Sequence, residues 1–125
     1  EPIPDWKPLR RELGISAFGT NAYIAEQAGD LVIERHDEVP EPGDGAALGH
    51  EEMYVVVRGA ARFTVDGASF DVPHGGVVGL HDTALVREAV ALEPGTLVLA
   101  VGSVPGVAFT PSPWEDRFFA RGAGG

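Results

Sequence analysis

The sequence predicts an all-β protein, an antiparallel sandwich or barrel, and three observations predict it. Short β-rich runs recur at regular spacing from Thr20 onward. The 17 glycines and 10 prolines are spread along the chain, which suits many strands joined by tight turns. Asp66-Gly67 lies between alternating apolar residues, a strong hairpin signal because both central residues of a type I′ turn need positive φ.

The elements follow in order. Residues 1–19 form an N-terminal arm, in which Pro2, Pro4 and Pro8 forbid a long helix but KPLRREL has room for one turn or two. NAYIAE and LVIERH are the first strands, with Gly29-Asp30 between them. Residues 37–49, DEVPEPGDGAALG, break the rhythm as a Gly/Pro/acid-rich loop, and loops of that length are usually functional or mobile. EEMYVVVR follows, then ARFTV and ASFDV around Asp66-Gly67. GVVGLH, ALVREAV and TLVLAV complete the barrel, which spans residues 20–102. Residues 103–125 form a C-terminal arm. Its WEDRFFARGAGG is expected to hold a short amphipathic helix anchored by Trp114, Phe118 and Phe119, with the last residues disordered.

A chain of 125 residues with a 44% hydrophobic fraction is most simply one domain with one core. The net charge of -10 disfavours nucleic acid, whose binding relies on Lys and Arg, and equally an anionic membrane surface. There is no cysteine, hence no disulfide framework and no thiolate metal site. No run approaches the roughly 20 apolar residues of a membrane span, and EPIPDWKPLRRELG lacks a signal-peptide layout, so a cytoplasmic protein is expected.

GHEEMYVVVRG carries two further expectations. Met53, Val55 and Val57 share one face of the strand, while Tyr54 and Val56 follow Glu52 on the other. A strand apolar on both faces needs cover on both, from the arms or from a second subunit, so a homodimer is expected. His50 and Glu52 also share a face, at the spacing that lets strand side chains converge on a metal.

The stretch from Glu52 to Gly75 resembles the cupin family. Glu52 is followed by six residues and Gly59, then by the Asp66-Gly67 hairpin and the Pro73-His74-Gly75 turn. The resemblance covers roughly residues 20 to 102 and implies an antiparallel jelly-roll β-barrel with N- and C-terminal arms. Cupin enzymes mostly bind one divalent metal through an HxH pair, the Glu and a third His. Here Ala46 and Leu48 stand at the HxH positions and Val86 and Arg87 near the third His, so only Glu52 carries over directly.

A looser alignment treats residues 37–49 as an insertion and pairs Glu34 with His36. It gathers His36, His50 and Glu52 at the barrel mouth, with Glu34 nearby, as a set suited to Fe, Mn, Ni or Zn. The alternative is a metal-free rim of hydrogen-bonded or solvated polar residues. Strand parity bears on the choice. If His36 points inward, Val32 and Glu34 do too and Leu31 and Ile33 face out; the plainer reading reverses this.

Tyr54 and Arg58 are candidates to line the cavity, Tyr54 chiefly by filling it. Arg87 either clamps a ligand carboxylate in the mouth or pairs at the surface with Glu88 or Glu93. His81 is expected at the surface and His74 in its turn. Three functions remain open: a metal-dependent enzyme acting on a small polar metabolite, a metal-free barrel that binds or senses a small molecule, and a dimeric scaffold without catalysis.

Overall fold

The β-rich runs become strands with little change in bounds. The computed structural model describes residues 4–39 and 49–104. It contains β1 (Asp5–Lys7), α1 (Leu9–Leu13), β2 (Gly19–Ala25), β3 (Leu31–His36), β4 (Glu51–Arg58), β5 (Ala60–Val65), β6 (Ala68–Pro73), β7 (Val77–Leu80), β8 (Arg87–Ala91) and β9 (Thr96–Ser103). One sheet runs β1-β2-β9-β4-β7 and the other β3-β8-β5-β6. Every pairing is antiparallel. Neighbours in each sheet are mostly remote in sequence, which is the crossover pattern of a jelly roll. Among the described residues no ladder joins the two sheets, so the barrel is a pair of facing sheets rather than one closed one.

The β5–β6 hairpin turns where expected, with Asp66 at φ 49 and Gly67 at φ 85. KPLRREL supplies α1, which ends at Gly14 in the left-handed conformation. Part of the N-terminal arm is itself an edge strand, since Asp5–Lys7 pairs with β2.

The core lies between the sheets. Tyr54 and Val56 from β4, Val98 and Ala100 from β9, and Ile33 and Phe63 from the opposite sheet are all buried. Tyr54 packs its ring 5.6 Å from that of Phe63. On β8 the small Ala89 and Ala91 face inward beside Arg87, leaving space for these rings. The outer face of the five-stranded sheet is apolar and partly open, with Met53, Val57 and Val77 exposed.

Strand β3 corrects the parity argument. Ile33 is buried and Glu34 exposed, yet His36 also turns inward, opposite Arg87. Both facts hold because β3 is bulged twice against β8, between Leu31 and Ile33 and between Ile33 and His36. Each bulge inserts an unpaired residue and resets which face the next side chain takes. Neither alternative drawn from strict alternation is therefore right.

Most of the 37–49 loop and the C-terminal arm beyond Val104, with Trp114, Phe118 and Phe119, lie outside the described residues. Among the described residues, no helix is long and apolar enough to cross a membrane.

Candidate metal centre at the mouth of the sandwich

The site is assembled from both sheets at one end. Strand β4 points Glu52 inward on the same face as Tyr54 and Val56, opposite Gly102 and Leu80. Gly102 leaves room for it, since a Cβ there would come within 3.1 Å of the Glu52 Cγ. From the other sheet, β3 and β8 supply His36 and Arg87 as direct neighbours in register. Glu38 lies just past β3, fixed by a hydrogen bond from its backbone N–H to the Thr83 carbonyl (2.8 Å).

His36 is held in one orientation. Its Nδ1 donates to the Glu34 carbonyl at 2.7 Å, which leaves Nε2 facing Glu38 Oε1 at 3.3 Å and Glu52 Oε1 at 3.7 Å. The ligand-type atoms of His36, Glu38 and Glu52 all lie within 4.8 Å of one another, so the group could hold a metal ion. Glu52 Oε1 also accepts from the Tyr54 hydroxyl at 2.5 Å and from Arg87 Nη1 at 2.9 Å. The guanidinium is fully buried and donates as well to the Leu85 carbonyl from Nε (3.0 Å) and Nη2 (2.9 Å), and to the Asp82 carbonyl (3.4 Å).

These contacts set the charges. Hydrogen bonding to Glu38, then to Glu52, pushes His36 up to about 10 against the lowering effect of burial. Burial pushes the Glu52 carboxyl up, but hydrogen bonds from His36 and Tyr54 outweigh it and hold the group at about 2. Burial, and then the Glu52 charge, push the Tyr54 hydroxyl far above its usual range, so it donates as a neutral phenol.

A cavity of about 330 Å³ opens above the group. Trp6, Arg10 and Arg11 from the N-terminal arm, with Asn21 and Tyr23 of β2, line it beside His36, Glu38, His50 and Glu52. Burial first, then Glu52, raise the Tyr23 hydroxyl as well. A cavity of similar size between Pro4, Ile24 and Leu31 contains, among the described residues, no comparable set of ligand atoms.

The structure brings together His36 and Glu52 of the expected set. His50 lines the same cavity but is exposed, and its atoms are not in the group. Glu34 contributes its carbonyl to His36 while its side chain is exposed. Glu38 was not anticipated, although His36-x-Glu38 has the same period-two spacing that drew attention to His50 and Glu52.

Two expectations are corrected. Arg58 does not line the mouth: it is exposed at the far end of β4 and donates from Nε to the Gly95 carbonyl (2.9 Å). A bulge between Val56 and Arg58 turns it off the inward face. Arg87 is neither a surface partner of Glu88 or Glu93 nor free to clamp a ligand, because it already holds the protein's own Glu52.

No family model matches the sequence, and no curated protein does. Solved structures do. A cupin protein from Bacteroides fragilis aligns with TM-score 0.64 at 15% identity, over 90% of this chain and 86% of its own. A putative sugar phosphate isomerase from Acidithiobacillus ferrooxidans aligns with TM-score 0.63 at 18% identity over 79% of this chain, which spans only 58% of that protein. The cupin domain of an XRE-family transcriptional regulator from Enterobacter cloacae aligns with TM-score 0.60 at 17% identity, over 81% of this chain and 96% of the domain. Likeness at these identities concerns the fold alone, and the fold is that of the cupins.

Proposed function

We propose that this cupin-fold chain binds one divalent metal ion at His36, Glu38 and Glu52 and acts there on a small, polar, anionic metabolite. One observation carries the reading: an imidazole whose Nδ1 is tied to a backbone carbonyl aims Nε2 at two carboxylates on the floor of a cavity. Two ligands about 2.1 Å from a shared ion lie about 3.0–3.4 Å apart. The separations of 3.3 and 3.7 Å therefore need little adjustment. One imidazole nitrogen and two carboxylates suit Mn, Fe(II) or Zn.

The chain's own residues shape what would bind. Tyr23 keeps its proton and offers a phenolic O–H, with the Asn21 amide beside it (3.5 Å), to a hydroxyl or carbonyl oxygen. Arg10 and Arg11 set positive charge at the rim, which favours an anionic group on the ligand. Tyr54 and Arg87 hold Glu52 in place from behind. A bound ion would polarise a coordinated carbonyl or hydroxyl. The resemblance to a putative sugar phosphate isomerase is compatible with such a ligand.

A second reading, a metal-free binding or sensing barrel, is favoured by one feature. With a proton on His36, that imidazolium and Arg87 balance Glu38 and Glu52 without any metal. Elemental analysis of untagged protein purified without chelators separates the two. After equilibration with Mn, Fe(II) or Zn, near-stoichiometric metal is expected in the wild type and absent from His36→Ala and Glu38→Ala. Wild type that stays metal-free after reconstitution would leave the metal-free barrel as the function.

A further inference from the structure

We propose that Arg87 sets how tightly the mouth holds a divalent cation: it is a fixed positive charge, locked onto Glu52, that makes the ion weakly held and exchangeable. The inference rests on the metal reading above and concerns a residue outside the ligand set. Three features carry it.

First, the charge is close. Arg87 Nη1 lies 2.9 Å from Glu52 Oε1, the same oxygen that faces His36 Nε2 at 3.7 Å. Any cation between His36 and Glu52 therefore shares its carboxylate with a guanidinium.

Second, the charge cannot leave. The side chain is fully buried, and the carbonyls of Leu85 and Asp82 accept from its Nε and Nη2. It stands in register beside His36 on the neighbouring strand, so moving it would mean moving β8 against β3.

Third, the charge is opposed to the ion's: the delocalised guanidinium is a cation fixed in a fork against Glu52. With His36 neutral, Glu38 and Glu52 offer two negative charges to the ion and Arg87 cancels one. A single charge at 4–6 Å shifts a neighbouring ionisation by about one to three pKa units, and a dication feels that charge twice as strongly as a proton at the same spot. Arg87 should therefore weaken divalent binding by about tenfold or more.

Mn²⁺ titrated into intact protein at one pH, with free ion followed by electron paramagnetic resonance, tests this in the wild type, R87Q and R87K. R87Q keeps an amide donor for Glu52 without the charge and is expected to bind at least about tenfold more tightly, while R87K stays near wild type. A folded R87Q that binds no more tightly than wild type overturns the inference and leaves the metal reading standing. Binding by R87Q alone, with none in the wild type, supports the inference and removes the resident metal. Binding by neither overturns both. Circular dichroism reports whether each variant folds. Should R87Q fail to fold, R87M, which removes the charge without adding an imidazole ligand, carries the same test: tighter binding supports the inference, and equal or weaker binding overturns it.

Discussion

The two ends of the sandwich each bury a polar side chain completely, and they satisfy it in opposite ways. At the closed end Thr96 is fully buried, its hydroxyl 2.8 Å from the Glu93 carbonyl and 3.1 Å from the Ala60 carbonyl, and it accepts from the Ala60 N–H. Every partner is neutral backbone, and the chain closes tightly over it at Gly59. At the mouth Arg87 is equally buried, but beside the Leu85 and Asp82 carbonyls its third partner is the carboxylate of Glu52, which also faces His36 and the cavity. A neutral group saturated by backbone is a structural clasp. A buried charge balanced by a group that still faces open space leaves that group able to take a ligand.

Glu52→Leu should widen the contrast most. It leaves the Arg87 guanidinium buried without its counter-charge, and losing one partner of such a pair costs about 3–5 kcal/mol. Urea unfolding measures this. A loss below about 1 kcal/mol would mean that the mouth is wet and the pair no more than a surface contact.

Gly59→Ala should come next, by roughly 2–4 kcal/mol at the closed end. Gly59 sits at φ 78, and a Cβ there would collide with the Thr96 hydroxyl and come within 2.9 Å of its Cα. Metal or ligand binding at the mouth should be unchanged in this variant. If binding fell with stability, the two ends would not be separable.

The smallest effect is on pH, and it should belong to the mouth alone. His36 rises from 6.5 unfolded to about 10 folded, so its contribution to stability is complete below 6.5 and is lost as pH climbs through 10. With 31% of the side chain exposed, solvent screening discounts this to about 1–2 kcal/mol. Chemical denaturation of wild type and His36→Gln at pH 6.5 and 10 should show a steeper decline in the wild type. Parallel declines would mean that the His36 contacts do not persist in solution.

Strands β4, β5 and β6 and the turn at Asp66-Gly67 were legible because each depends on local signals, alternation and a dipeptide that tolerates positive φ. Glu52 was legible from its spacing to Gly59 and its strand parity with Tyr54. His36 was named but could not be oriented, since two bulges against β8 decide its face. Arg58 misled for the same reason, through the bulge that follows Val56. Glu38 and the pairing of Arg87 with Glu52 were not legible, because the residues lie 14 and 35 positions from Glu52 and meet only when the sheets face each other.

The sequence by itself therefore determined an antiparallel β architecture, its hairpin turn and the absence of cysteine ligands from this chain. Those follow from side-chain period, turn residues and composition, all short-range properties of the chain. Tertiary structure decided which charges share the mouth. Bulges reset strand parity, and the facing of two sheets places His36, Glu38 and Arg87 around Glu52; neither is encoded in the spacing of residues along a single strand.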